Sequence, residues 1–220
     1  MLEAVVFDLD GLLIDSEPLW RQAEIEILRP LGVPLTQEMC RETQGMRVDQ
    51  AIGHWFERYP WPQRGVGEVE HLVVDRVISL IGESGAAKEG AIELVKFFRL
   101  NGVPIGVCSS SWASLIEVAL ARLGIRDLIN VVHSAQEEEY GKPHPACYIS
   151  TASHLGIKPS HCLALEDSFA GALAAKAAEM KVVAVPEPVL RDHPRWGFCD
   201  LILSSLAEFS MSSWENLDGL

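Results

Sequence analysis

Along this 220-residue chain, short apolar runs alternate with stretches of helical periodicity, and the alternation fails once. The runs cover residues 2–7, 104–108, 128–133, 162–165 and 181–185, with a weaker one at 200–203. Short continuous apolar runs suit strands buried on both faces, as in a parallel sheet. Helical patterns fill 89–101, 111–123, 145–155 and 168–179 between them. Strand alternating with helix at this spacing predicts a doubly wound, mostly parallel α/β sheet. The break lies after the first run, where helical patterns at 17–31, 37–42, 48–58 and 67–81 occur with no convincing strand. Such a block reads as an α-helical cap inserted into the sheet topology. Residues 1–14 and 86–220 are then expected to form the α/β core and residues 15–85 the cap. The Ser-rich, acidic tail from Met211 to Leu220 is expected to fray.

Hydrophobic residues at 48% and charged residues at 22% exclude disorder, collagen and coiled coil. Eighteen basic against 31 acidic residues give a net charge of −13. A surface that negative repels phosphate backbones and anionic lipid, so neither nucleic acid nor a membrane is an expected partner. A small anionic substrate stays compatible, because a few cations and a metal reverse the local field. The five cysteines (Cys40, Cys108, Cys147, Cys162, Cys199) are odd in number and scattered, which predicts free thiols in a reducing compartment. The opening MLEAVVFDLDG lacks the basic start of a signal peptide, and no uncharged run reaches the roughly 18 residues that span a bilayer. A cytoplasmic location is expected.

Four features follow four different predicted strands. Asp8-Leu9-Asp10-Gly11 ends the first. Residues i and i+2 of an extended chain point the same way, so both carboxylates converge. At about 5 Å they repel by roughly 3 kcal/mol at an effective dielectric near 20, and a cation or a held proton must compensate. Glu166-Asp167-Ser168 follows the 162–165 run, with Ser168 placed to cap the next helix. Lys142-Pro143 follows 128–133, and the proline biases Lys142 toward extended backbone. Cys108-Ser109-Ser110-Ser111 follows 104–108. Each alone is ordinary: a loop, a helix-start acid, a surface lysine, a turn. Together, beyond the carboxyl ends of strands in an open sheet, they meet in one crevice. Carboxylates for a hard cation, one carboxylate free to act, a lysine and a hydroxyl make a set suited to phosphoryl transfer.

At these residues the chain resembles the haloacid dehalogenase superfamily, in its phosphatase branch. The family's DxDG motif matches Asp8 to Gly11, its strand-ending Ser or Thr matches Ser109, its Lys before Pro matches Lys142, and its acidic pair matches Glu166-Asp167. The stretches DGLLIDSEPLW, GKPHP and LEDSFAG resemble the subfamily with a small helical cap between the first two motifs, and within it the chain is most similar to bacterial sugar-phosphate phosphatases of the 2-deoxyglucose-6-phosphate or hexitol phosphate kind, and next to β-phosphoglucomutase. The resemblance implies that Asp8 attacks phosphorus to form an aspartyl-phosphate and that Asp10 protonates the leaving alcohol and then activates water. It implies Mg²⁺ held by Asp8, the Asp10 backbone and Asp167, with Glu166 nearby. Ser109 and Lys142 would hold the non-bridging oxygens, with Gly11 and Ser110 beside them. The substrate implied is a small phosphorylated sugar or sugar alcohol, and a capped core of this kind can work as a monomer.

In the cap, Thr43-Gln-Gly-Met-Arg47 resembles the loop that faces the active site in sugar-phosphate members, so Arg47 is expected at the substrate. Trp20, Trp55 and Trp61 could stack on a sugar ring, though aromatics on capping helices are more often core. Trp20 stands where β-phosphoglucomutases carry a hinge His, which favours loss of the phosphoryl group to water over transfer to a sugar. A receiver domain would need about half this length and has no place for the helical block. A dehalogenase proper lacks the second Asp of the motif. Two departures from the family lie away from the chemistry: the segment 83–90 where relatives have a Pro-Gly turn, and Glu179 where many have Gly.

Overall fold

A computed structural model of the chain describes residues 1–219. Its frame is one sheet of six parallel strands: β1 (Ala4–Phe7), β2 (Ile105–Ser109), β3 (Val131–Ser134), β4 (Cys162–Glu166), β5 (Lys181–Ala184) and β6 (Leu201–Ile202). Their order is β3-β2-β1-β4-β5-β6. The chain therefore leaves central β1 toward one edge through β2 and β3, then returns to its other side for β4 to β6. The two directions part at β1, and a crevice opens there beyond the strand ends. Register lines the ends up: Phe7 pairs with Val107 and with Leu165, so Asp8, Cys108 and Glu166 reach the same level.

Residues of alternating parity face opposite layers. Val5, Phe7, Ile105, Val107, Leu163, Leu165 and Val183 join the bulky layer, with α4 (Ala91–Leu100) and α5 (Ala113–Arg122). Ala4, Val6, Cys108, Ala164, Val182 and Ala184 join the other, with α6 (Ala146–Leu155) and the alanine-rich α7 (Phe169–Ala177). Small side chains let α6 and α7 approach the sheet closely, which brings their first turns to the strand ends.

Between β1 and α4 lie α1 (Glu17–Leu28), α2 (Val48–Arg58) and α3 (Val66–Ser84). The buried stripe Val69, Val73, Val74, Val77, Leu80 and Ile81 of α3 packs against α1 and α2, and α3 also meets α5. The chain leaves and re-enters this helical insertion through paired backbone. Ile14 bridges Ala87 antiparallel, Asp15 N donates to Ala86 O (2.9 Å), and Lys88 N donates to Leu13 O (3.1 Å).

The expected strands and helices form with ends shifted by a few residues. The expected helix at 37–42 is only a short 3₁₀ turn, Met39–Glu42. The frayed tail is a correction: Ser210 and Ser213 make a reciprocal capping box, and α8 (Met211–Asp218) docks Trp214 against Phe98. Leu220 lies outside the described residues. Glu179 adopts φ +67°, the left-handed conformation that glycine takes freely. All five cysteines are free, and among the described residues no helix is long and apolar enough to cross a membrane.

Candidate active site

Asp8 is 6% exposed at the end of β1. Lys142 Nζ donates to its Oδ1 (2.6 Å), to Glu166 Oε1 (2.6 Å) and to the Cys108 carbonyl (3.1 Å). Burial alone would lower the Lys142 pKa, but the Asp8 and Glu166 carboxylates outweigh it and push the ammonium well above its usual range. Burial, with the charges of Glu166 and Asp10, pushes Asp8 well up against the pull of Lys142.

Glu166 is fully buried, and both its oxygens are taken. Oε1 accepts from Lys142 and from the Tyr148 hydroxyl (2.8 Å), and Oε2 accepts from the Ser168 N–H (3.0 Å) and hydroxyl (2.9 Å). A Cβ on Gly171 would collide with this carboxylate, so the first turn of α7 closes over it only as glycine. Glu166 thus fixes Lys142 and the loop to α7, with little capacity left for an ion. Its neighbour Asp167 differs: Oδ1 is buried with no hydrogen-bond partner. Burial and the charges of Asp8 and Glu166 push the Asp167 carboxyl well up. A Cβ on Gly11 (φ +86°) would also collide with Asp167, so the glycine of the DxDG motif both takes the left-handed turn and leaves the acid its room.

One carboxylate oxygen from each of Asp8, Glu166 and Asp167 lies within 4.8 Å of the others. Buried mutual repulsion and an orphaned oxygen in an all-oxygen donor set fit a hard divalent cation.

Asp10 is held by four donors. Ser16 Oγ (2.7 Å) and Trp20 Nε1 (3.1 Å) reach Oδ1, while Ser109 Oγ (3.1 Å) and Ser111 Oγ (2.8 Å) reach Oδ2. Hydroxyls can reverse to accept, whereas an indole N–H only donates. Trp20 therefore fixes one hydrogen bond that Oδ1 must accept, while the three hydroxyls can adapt to either state of the carboxyl. Ser16, Ser111 and Tyr148 are contacts that sequence reasoning missed. Ser111 closed the Cys108–Ser111 feature but read as a helix start, Ser16 fell at the edge of the expected cap, and no local signal marks Tyr148.

A cavity of about 1210 Å³ opens above these groups between the sheet ends and the helical insertion. Asp8, Asp10, Ser109, Ser110, Lys142 and Asp167 line its floor, and Glu17, Trp20, Arg21 and Glu24 of α1 line its roof. Burial and the charge of Asp10 push Glu17 up to about 8. Trp55 and Trp61 are buried in the core, leaving Trp20 alone of the three at the cavity. Arg47, expected at the substrate, stands outside the lining. Its guanidinium grips Asp49 through two bonds (2.7 and 2.6 Å) and donates to the Glu138 carbonyl (3.1 Å), tying the insertion to the core beyond β3. Asp49 beside it offers a carboxylate from the same helix start, and that fork is occupied by it here. Gln44 makes a second tie, to Glu187 (3.1 Å).

The family model of the haloacid dehalogenase-like hydrolases matches residues 2–179. Hexitol phosphatase B of Escherichia coli (strain K12) is 39% identical over 208 residues, covering 94% of each chain. Among solved structures, CbbY from Rhodobacter sphaeroides in complex with phosphate superposes with a TM-score of 0.88 at 25% identity, over 97% of this chain and 99% of that one. β-Phosphoglucomutase from Clostridium difficile shares the fold, with a TM-score of 0.86 at 22% identity over 100% and 98%.

Proposed function

The chain belongs to the haloacid dehalogenase-like hydrolases and is a phosphatase; from that premise we propose that it hydrolyses small phosphorylated sugars or sugar alcohols, with Mg²⁺, through a phosphorylated Asp8. The observation that carries this reading is Asp8 itself, bonded to Lys142 and set beside the orphaned oxygen of Asp167 on the floor of a roofed cavity. The hexitol phosphatase relative supports the substrate class.

In the first half-reaction an Asp8 carboxylate oxygen bonds phosphorus as the bond from phosphorus to the leaving alcohol oxygen breaks. Asp10 gives its proton to that oxygen, and the free alcohol departs. In the second half, Asp10 takes a proton from water as the water oxygen bonds phosphorus. The bond from phosphorus to Asp8 breaks, inorganic phosphate leaves, and both acids regain their starting states. Lys142 and Ser109 hold the non-bridging oxygens of the phosphoryl group. Asp8 and Asp167, with the Asp10 backbone carbonyl, would hold Mg²⁺, which when bound neutralises charge so that an anionic phosphate can approach. Glu166 acts from behind by fixing Lys142. Residues 15–85 serve as a separate lid domain that excludes water and reads the leaving group.

Water, and not a sugar hydroxyl, meets the phosphorylated Asp8, because indole at position 20 cannot exchange a proton near neutral pH as imidazole does. The test is phosphate release from p-nitrophenyl phosphate and from hexose and hexitol 6-phosphates, with Mg²⁺ and with EDTA. Turnover should require Mg²⁺ and vanish in the near-isosteric Asp8→Asn. Full activity in EDTA or in Asp8→Asn would sink the mechanism.

A further inference from the structure

Of the carboxylates on the cavity wall that have no part in the chemistry above, Glu24 stands apart. Glu17, Trp20, Arg21 and Glu24 recur at i, i+3, i+4 and i+7 on α1, so they form a single stripe along one helix face, and all four line the cavity. The stripe has a reacting end and a remote end. At the reacting end Trp20 bonds Asp10. Glu24 lies one helical turn further on, about 6 Å along the axis at 1.5 Å per residue.

Glu24 is an unusual residue to find there. It is only 7% exposed, and its Oε2 has no hydrogen-bond partner. Cys40 and Arg21 both draw on the charge of the carboxyl, Arg21 from the same stripe without forming an ion pair with it; the ion pair of Arg21 is with Glu17 (3.7 Å). Burial pushes Glu24 up to about 7. A buried carboxyl oxygen left unbonded costs stability, and nothing in the packing of α1 on α3 requires one. Leucine would fill the same position without that cost. Oε2 is sealed in the wall, so the cavity that Glu24 lines meets the rest of the carboxyl, an acceptor for a hydroxyl-bearing ligand whose O–H donors otherwise lose their water on entering.

We propose that Glu24, flanked by Arg21 and Cys40, is the specificity-determining residue at the remote end of the cavity, accepting hydrogen bonds from the far hydroxyls of a linear polyol phosphate. Arg21 donates to the oxygens of the same hydroxyls. This inference rests on the sugar-phosphate reading above and adds a length requirement to it. A leaving group must reach one helical turn past Trp20, which an extended six-carbon polyol does and a three-carbon one does not.

The experiment compares kcat/KM for sorbitol 6-phosphate with that for glycerol 3-phosphate, in wild type, Glu24→Leu and Glu24→Gln, all with Mg²⁺ and with thermal melts to verify folding. Wild type should prefer sorbitol 6-phosphate. Glu24→Leu should reduce that ratio by roughly ten- to hundredfold, the loss expected for hydrogen bonds to a charged acceptor, mainly through KM. Glu24→Gln keeps an acceptor oxygen and should retain part of the preference, and it serves as the readout should the leucine variant not fold. An unchanged ratio, or equal losses on both substrates, overturns the role of Glu24 and leaves the phosphatase reading standing. A wild type that takes p-nitrophenyl phosphate but shows no preference for sorbitol 6-phosphate over glycerol 3-phosphate overturns the inference together with its substrate class.

Discussion

Replacing Lys142 by methionine removes one cation from between two buried carboxylates and changes little else in volume. The side chain is 3% exposed, against 9% for Asp8 and 0% for Glu166. Each ion pair, at 2.6 Å, is worth about 6 kcal/mol of Coulomb attraction at an effective dielectric of 20. Much of that is offset by the desolvation of the three charges, so the gross figure is not the stability lost. What the substitution does is leave Asp8 and Glu166 facing each other with Asp167 beside them, and uncompensated buried charge costs about 3–5 kcal/mol. Urea unfolding followed by tryptophan fluorescence, in EDTA so that no divalent cation compensates, should show a loss of that size for Lys142→Met. Adding Glu166→Gln removes one of the stranded charges and should recover about 1–2 kcal/mol, a coupling readable only in the double-variant cycle. A loss below about 1 kcal/mol, with no coupling to Glu166, would refute the assignment of Lys142 as the charge that lets this acid cluster fold.

Three further outcomes are expected. Trp20→Phe deletes the donor to Asp10 Oδ1 at a cost of about 1 kcal/mol, so kcat should fall about fivefold while phosphate remains the product; unchanged kcat refutes the contact. Arg47→Ala breaks the tie to the Glu138 carbonyl and should lower kcat/KM for sugar phosphates and p-nitrophenyl phosphate by the same factor. A loss confined to sugar phosphates would make Arg47 a substrate contact after all. Glu179→Gly relieves a left-handed backbone and should raise stability by about 0.5–1 kcal/mol in thermal melts; a fall in Tm overturns this.

The sheet was legible because its central strands are buried on both faces and so leave continuous apolar runs, as Ala4–Phe7 and the first four residues of Cys162–Glu166 do. Edge strand β6, two residues long, left the faintest trace. The acids were legible because backbone register carries strand-end residues to a common level, whereas Lys142, eight residues past the end of β3, was legible from its place before Pro143. What stayed hidden depends on contacts across large sequence separation. Tyr148 reaches Glu166 only because small residues let α6 lie close to the sheet. Arg47 turns from the cavity because Asp49 and the Glu138 carbonyl meet its guanidinium first. The tail composition suggested fraying, yet its serines cap a helix whose Trp214 has an aromatic partner.

The paired backbone at Ile14 and Ala87 has a mechanical consequence. Because the two crossings of the insertion are bonded to each other, its ends already touch, and the sheet experiences everything beyond them as a loop of no span. A paired ribbon bends about one axis far more readily than it stretches or shears. At this end the roof is therefore hung from one ribbon and not moored by two independent ropes, while Arg47 and Gln44 latch it to the core elsewhere. Any swing about this ribbon would return the same α1 stripe to the same place over Asp10, where Trp20 bonds it. The same geometry makes the roof exchangeable: a helical insertion from a relative, spliced at these two rungs, would inherit the axis of the swing and bring only its own stripe of side chains.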